Sequence, residues 1–269
     1  MDILVRDSYE SLSKSAAGII AGFVKSKPDC VLGLATGGTP IGTYKELIKM
    51  HREGLDFSRI KTFNLDEYLG VGIEMDKPYN EDQSYSRFMY EEFFKHVNIK
   101  KENINIPDGR AKNPAQFCKL YEKRIKEAGG IDLQLLGIGA TGHLAFNEPG
   151  NSLRSRTHVQ ALTKQTLDDN YEAFYKSAGI SREQMPHFVI TMGVGTILDA
   201  KNILMLANGK KKAQIVAKAL EGPITSQITA TAIQLHSGGI TVILDKDAAS
   251  GLANIEYYMH IENMMEKFG

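Results

Sequence analysis

A glycine-rich loop, Thr36-Gly37-Gly38-Thr39, follows the apolar run 30–35 and has the composition of a phosphate-binding turn. Glycines allow the backbone to come close to an oxyanion, and a following helix offers free N–H groups at the positive end of its dipole. The two threonines add hydroxyl donors. The segment therefore predicts a phosphate site, although a strand-to-helix turn without a ligand has the same composition.

Two adjacent carboxylates, Asp66 and Glu67, follow the apolar stretch 60–65. A carboxylate at the end of a buried strand lies at the mouth of the sheet, where partial removal from water raises its pKa toward that of a useful base. We therefore predict that Asp66 accepts protons and that Glu67 contacts a substrate. A helix cap or a surface acid is the alternative for both residues.

A third segment begins with Gly137, Gly139 and Gly142, which match the spacing G-x-G-x-x-G after the apolar run 131–136. This spacing is the first part of a dinucleotide-binding fingerprint. Pro149, however, ends any helix within a few residues, and no second strand ends in an acid about 20 residues further on. The spacing alone is therefore weak evidence for a dinucleotide.

His143 follows these glycines directly, and Glu148 comes shortly after it. An imidazole whose pKa lies near neutrality, oriented by a carboxylate, acts as a proton shuttle. A structural histidine is the alternative. We expect no metal, because H-E-x-x-H spacing is absent and no cysteine or further histidine lies nearby.

Three consecutive lysines, Lys210, Lys211 and Lys212, come after Gly209 at the start of a predicted helix. Such a charge run is usually solvated. The functional alternative is that one lysine faces a phosphate.

All these residues follow apolar runs that alternate with helical patterns. The runs predict strands over 30–35, 60–65, 131–136, 188–192, 203–207 and 241–244. Apolar spacing predicts helices over 8–26, 84–96, 113–128, 211–220 and 250–267, and another helix after the loop 36–40. The polar residues 76–84 predict a loop. The alternation predicts an α/β fold in which helices cover both faces of a mostly parallel sheet, in one domain over 1–269. Ligands of such sheets bind outside the carboxyl ends of the strands, which are here the loops after 35, 65, 136, 192 and 207.

The charge balance is even, since 32 basic and 32 acidic residues give a formal charge of +0. No net field draws in nucleic acid or an anionic membrane, so we expect neither as a partner. Cys30 and Cys118 lack C-x-x-C spacing and are typical of reduced thiols. The N-terminus has no signal-peptide features, and the apolar stretches are too short or too interrupted to span a bilayer. These features predict a soluble cytoplasmic protein.

Taken together, the segments 34–40 (LATGGTP), 63–68 (FNLDEY) and 142–149 (GHLAFNEP) resemble the signatures of the glucosamine-6-phosphate deaminase family, in the same order and spacing. Further similarity lies in 152–157, 191–196 and 234–236, and the resemblance covers roughly residues 1 to 265. It implies a Rossmann-like α/β fold that converts glucosamine 6-phosphate and water to fructose 6-phosphate and ammonia. No metal, nicotinamide or other cofactor is implied.

The resemblance also implies roles for individual residues. The residue matching Asp66 moves a proton between C2 and C1, and a carboxylate suits this step because its two oxygens reach both carbons. The residue matching His143 opens the sugar ring, supported by the one matching Glu148. Thr36 to Thr39 and Lys212 match groups that hold the sugar phosphate. Glu67, Gly139 and Gly142 complete the predicted binding residues.

Two positions depart from the family pattern. Thr141 stands where the family usually has Asp or Asn, so we expect an altered histidine pKa and altered ring opening while proton transfer through Asp66 survives. In 166–175 the family commonly has a lid arginine that clamps the phosphate, and this chain has Glu172. Candidate replacements are Lys164, Lys176 and Arg182.

Other sites and functions remain open from the sequence. Allosteric relatives carry basic residues where this chain has His158 and Gln160, so we expect no activation by N-acetylglucosamine 6-phosphate. Alternatives to the main interpretation are a galactosamine-6-phosphate deaminase, a 6-phosphogluconolactonase-like hydrolase, and a non-catalytic protein that binds a sugar phosphate. A homo-oligomer is possible, although no surface helix shows a clear interface stripe.

Overall fold

The computed structural model describes residues 1–71, 84–176, 179 and 181–268, and the predicted loop 76–84 falls almost entirely outside them. The strands are β1 (Asp2–Arg6), β2 (Val31–Leu34), β3 (Lys61–Asn64), β4 (Asp66–Tyr68), β5 (Ile104–Asn105), β6 (Leu133–Leu136), β7 (His158–Ala161), β8 (Phe188–Thr191), β9 (Asn202–Ala207) and β10 (Gly239–Asp245). The α-helices are α1 (Tyr9–Ser26), α2 (Gly38–Arg52), α3 (Tyr85–Glu92), α4 (Pro114–Glu127), α5 (Lys164–Asn170), α6 (Val194–Leu198), α7 (Ala213–Glu221), α8 (Lys246–Ala249) and α9 (Ile255–Phe268). Short helical turns lie at Phe94–His96, Lys101–Asn103, Tyr171–Tyr175, Arg182–Gln184, Lys210–Lys212 and Thr229–Leu235.

Seven strands form one parallel sheet in the order β1-β10-β9-β6-β2-β3-β5. The central strands β2 and β6 are buried along their whole length, as expected for a parallel sheet flanked by helices. The predicted α/β fold is confirmed. On one side of β2 the sheet continues with β3 and β5. On the other side it continues with β6, β9 and β10. The crevice between β2 and β6 is therefore a topological switch point, where such sheets bind ligands.

A second, antiparallel sheet has the order β4-β8-β7. The strand predicted over 188–192 belongs to this sheet, so placing its following loop at the edge of the parallel sheet is wrong. Thr191 of β8 pairs with Asp66 of β4, immediately after the chain leaves β3. An apolar run indicates a buried strand but not its partner, because pairing is decided by segments distant in sequence.

Local signals account for several helix boundaries. Ser8 and Ser11 form a capping box at the start of α1, and Asn113 caps α4 ahead of a proline at the first turn. In α2 the cap is Gly37, with φ 98°, and no side chain bonds to its free N–H groups. The N-terminus of α2 is thus open toward the switch point. No helix in the described ranges has the length and apolar content needed to cross a membrane.

Candidate active site

A cavity of about 930 Å³ opens at the carboxyl ends of β3, β2, β6 and β9. The predicted residues that line it are Thr36, Gly37, Gly38, Thr39, Asp66, Gly139, His143 and Lys212. The predicted residues Glu67, Thr141, Gly142 and Glu148 do not line it. Tertiary packing thus brings residues from four separate loops to one cavity and leaves four predicted residues behind its wall.

Asp66 is the first residue of β4, and antiparallel pairing with β8 holds it at the cavity wall. Its side chain is only 5% exposed. Burial, together with the neighbouring charge of Glu67, raises the pKa of Asp66 to about 8. The carboxyl group is therefore adapted to exchange protons near neutral pH.

Glu67 points away from the cavity and is fully buried. Oε1 accepts from the backbone N–H groups of Tyr68 and Tyr85, both at 3.0 Å. Oε2 accepts from the hydroxyls of Ser84 and Ser86 and from the N–H of Ser86, each at 2.8 Å. Burial raises the pKa of Glu67, although these donors oppose the rise. Glu67 is thus a carboxylate cap of α3, and its position does not fit the predicted contact with substrate.

His143 lies in the loop after β6, with its ring against the backbone of Gly139. A Cβ added at Gly139 would lie 2.0 Å from Nε2, so only glycine leaves room for the imidazole. Gly142 has a structural role instead. Its φ is 81°, and a Cβ there would lie 2.5 Å from Cγ2 of Ile228.

The Nδ1 atom of His143 faces two groups behind the cavity wall. It is 2.8 Å from Oγ1 of Thr141 and 3.7 Å from Oε2 of Glu148. The shorter contact is a hydrogen bond, whereas the longer is an electrostatic contact without one. The threonine hydroxyl therefore holds the ring, and Nε2 has no hydrogen-bond partner among the residues that the structure describes.

Glu148 is only 3% exposed and reaches the histidine through a tight turn. Within this turn Ala145 has φ 51°, a strained value for a residue with a side chain. The buried amide of Asn147 stabilises the turn by donating to the carbonyls of Leu144 and Met192, at 2.9 and 2.8 Å. This turn, with Ala145 in a strained conformation, places a carboxylate behind the imidazole.

The two oxygens of Glu148 have different surroundings. Oε1 accepts from the N–H and hydroxyl of Thr163, both at 3.2 Å, and from the hydroxyl of Thr166 at 2.7 Å. Oε2 has no hydrogen-bond donor in the described part of the chain. Burial lowers the pKa of His143, and the charge of Glu148 opposes this effect. The neutral ring can therefore accept a proton, and Glu148 stabilises the imidazolium that results.

The cavity lining also contains groups that suit an anion. Lys212 donates from Nζ to the carbonyl of Ile138 at 2.8 Å, and burial lowers its pKa. Thr39 donates from Oγ1 to Oδ1 of Asn208 at 2.7 Å, which ties the loop after β2 to the loop after β9. The open N-terminus of α2 faces the same space. This combination of N–H groups, hydroxyls and an ammonium suits a phosphate.

Glu172 does not face this anion site. It pairs with Lys176 at 2.8 Å and lies 3.9 Å from Arg182, which also pairs with Asp168. None of the candidate replacements for the lid arginine, Lys164, Lys176 and Arg182, lines the cavity. The helix α5 instead contributes Thr166, Asp169 and Asn170 to the wall.

Sequence patterns do not indicate Tyr85, Asp169 and Asn208, although all three line the cavity. Asn208 precedes Gly209 after β9, and an Asn-Gly pair after a predicted strand is the turn signal that identifies such a position. Tyr85 and Asp169 lie on helices away from the predicted loops, so no local pattern finds them. In the described part of the chain, no group of three or more His, Cys, Asp or Glu side chains could hold a metal ion.

Known proteins share the sequence pattern and the fold of this chain. Residues 6–242 match the family model of glucosamine-6-phosphate isomerases and 6-phosphogluconolactonases. A glucosamine-6-phosphate deaminase of Thermoanaerobacter sp. (strain X514) is 48% identical over 93% of this chain and 94% of its own length. The chain belongs to this family. The predicted resemblance is thereby confirmed.

Other family members extend the comparison. A glucosamine-6-phosphate deaminase of Cellvibrio japonicus is 44% identical over 99% of this chain and 97% of its own length. The solved structure of a monomeric glucosamine-6-phosphate deaminase superposes with a TM-score of 0.86 at 46% identity, covering 93% of this chain and all of the relative. A 6-phosphogluconolactonase from Trypanosoma brucei has a TM-score of 0.73 at 20% identity over 94% of this chain and 98% of its own, which shows a shared fold alone.

Proposed function

We propose that this protein converts glucosamine 6-phosphate and water to fructose 6-phosphate and ammonia. Curated relatives at 44% to 48% identity over nearly the whole chain carry the name of this activity. The observation that carries the proposal is the pairing of two proton-transfer groups, Asp66 and His143, in one cavity that also has an anion site. The reaction uses each of these three features.

The first step in this mechanism opens the sugar ring. Nε2 of His143 takes the proton from O1, and the resulting imidazolium gives a proton to the ring oxygen O5 as the C1–O5 bond breaks, which produces the open-chain aldehyde. Thr141 holds the ring by its bond to Nδ1, and Glu148 stabilises the positive charge. The lowered pKa of the buried histidine keeps it in the accepting form at neutral pH.

The second step moves a proton between adjacent carbons. The Asp66 carboxylate removes the proton from C2 while O1 takes up the proton that the substrate ammonium group gives up, which forms an enolamine. Asp66 then returns its proton to C1, so that C1 becomes an alcohol and the double bond forms between C2 and nitrogen. Water then adds to this imine and ammonia leaves, which produces the ketone. The raised pKa of Asp66 suits both halves of the transfer, because the group must accept and then donate the same proton.

The proposal is tested by incubating purified protein with glucosamine 6-phosphate, without added metal or cofactor, and measuring ammonia and fructose 6-phosphate together. We expect equal release of both products and its loss in Asp66→Asn, with Asp29→Asn as a control for charge removal at the surface. Absence of release from folded protein would contradict the proposal. Turnover of galactosamine 6-phosphate or of 6-phosphogluconolactone would then identify a related enzyme, and binding without turnover would indicate a sugar-phosphate-binding protein.

The proposal includes a cytoplasmic role in amino-sugar catabolism, including the breakdown of N-acetylglucosamine. Cys30 and Cys118 are free and buried, which is compatible with a reducing compartment. A homo-oligomer stays a prediction, since one relative of solved structure is described as monomeric.

A further inference from the structure

The ammonium groups that line the cavity all come from the turn Lys210–Lys212, within the residues that the structure describes. No arginine and no other lysine of those residues lines it. Any anionic group of a ligand must therefore draw its cationic partners from this one turn. The three lysines do not have equal surroundings.

Two of the lysines are held by the protein. Lys210 donates from Nζ to the hydroxyl of Ser250 at 2.8 Å. Lys212 donates to the carbonyl of Ile138 at 2.8 Å and is half-buried. Lys211 is exposed, and no described residue forms a hydrogen bond or an ion pair with it. Of the three ammonium groups, only that of Lys211 can approach a ligand without breaking an existing hydrogen bond to a described residue.

One part of the cavity lining adds negative charge and no positive charge. It comes from α5, where Asp169 lines the cavity. The charge of Asp169 opposes the burial that lowers the pKa of Lys212, so the two groups lie close enough to interact. A phosphate monoester carries about −1.5 to −2 charges at pH 7. Because the charge of Asp169 offsets part of the charge of Lys212, Lys212 alone cannot balance the charge of the phosphate.

We propose that Lys211 is a second phosphate-binding cation, which pairs with the phosphate of the bound sugar while Lys212 holds it from the protein side. The identity of the sugar phosphate rests on the proposed function, whereas the role of Lys211 requires only a phosphate monoester in this cavity. The interaction is a charge-assisted contact at the rim, so it strengthens binding without taking part in proton transfer.

The test compares Lys211→Met with Lys210→Met and with Lys218→Met, which removes a positive charge from the exposed face of α7. Fructose 6-phosphate and inorganic phosphate are the probes, and their dissociation constants are measured by calorimetry at low and high salt. We expect Lys211→Met to weaken fructose 6-phosphate binding about tenfold, a change of about 1.4 kcal/mol. The loss should be smaller in Lys210→Met, absent in Lys218→Met, and reduced at high salt.

Kinetics provide a second measurement. In Lys211→Met, KM for glucosamine 6-phosphate should rise about tenfold with kcat nearly unchanged, since a rim cation binds ground and transition states alike. Removal of the opposing charge in Asp169→Asn should tighten phosphate binding. Equal losses in Lys211→Met and Lys218→Met, or unchanged binding in both, would overturn the inference even if turnover is intact. Weakened phosphate binding in a protein without turnover would support Lys211 and contradict the proposed reaction.

Discussion

Replacing Asp66 by asparagine should abolish proton transfer and at the same time stabilise the folded protein at alkaline pH. The pKa of Asp66 is raised by burial from its ordinary value of 3.8 to about 8. A raised pKa in the folded state means that the neutral carboxyl group is tolerated and that the charged one opposes folding. The stability of the parent protein therefore falls as pH rises from about 4 to about 8. Asparagine does not titrate, so the variant does not lose stability through this group as pH rises.

The size of the effect follows from the pKa difference. Each pKa unit corresponds to about 1.4 kcal/mol, so the change from 3.8 to about 8 corresponds to at most about 6 kcal/mol. Because the carboxyl group lines a cavity, access of water to its charge would lower this figure. Between pH 5 and pH 8 we expect the advantage of Asp66→Asn to grow by about 2 to 4 kcal/mol.

The assay is urea unfolding of both proteins at several pH values between 5 and 8.5, with the free energy of unfolding compared at each pH. Asp132→Asn is a comparison variant, for which we expect the pH dependence of stability to have the opposite sign. Burial raises the pKa of Asp132, but hydrogen bonds from Lys201, Lys27 and the N–H of Val31 outweigh it and lower the pKa. That variant should be destabilised at neutral pH, and its deficit should shrink as pH falls below about 4.

Parallel stability curves for the parent and Asp66→Asn across this pH range would refute the reasoning. They would mean that the carboxylate is as well solvated in the folded protein as in the unfolded chain. An asparagine variant that is less stable at pH 8 than at pH 5, relative to the parent, would contradict the sign of the pKa shift as well as its size.

Three further predictions concern the groups behind the cavity wall and the antiparallel sheet β4-β8-β7. Thr141→Asp places a negative charge beside Nδ1 of His143 and should move the acidic limb of the kcat/KM profile about one pH unit upward; an unchanged pH–rate profile would refute it. Glu67→Gln turns an amide N–H₂ toward groups that donate to Glu67 and should cost about 3 kcal/mol in urea unfolding, whereas intact stability with a raised KM would restore the substrate-contact role. N-acetylglucosamine 6-phosphate should not activate the enzyme, because the side chains of His158 and Gln160 bond to nearby backbone carbonyls and provide no cationic pair; conversion of a sigmoidal rate curve to a hyperbolic one would contradict this.

The local elements follow from the sequence to within a few residues. The predicted helix 8–26 is α1 at Tyr9–Ser26, and the predicted strand 203–207 is β9 at Asn202–Ala207. Apolar spacing indicates which side of a segment is buried, and this is a property of the segment itself. Strands as short as β5 and β7 have too few residues to show an alternation of apolar and polar side chains. The helix α5 has only seven residues and most of them are polar, so the sequence does not indicate it as a helix.

The sequence by itself determined the alternation of strands and helices, the end of the sheet at which the site lies, and the residue types available there. Only the tertiary structure decided that Glu67 caps α3 while its neighbour Asp66 faces the cavity. It also decided that Thr141, rather than Glu148, hydrogen-bonds to His143. The physical reason is that periodicity reports burial within one segment, whereas proton transfer depends on distances between segments. Those distances are set by strand pairing and core packing among residues far apart in the chain.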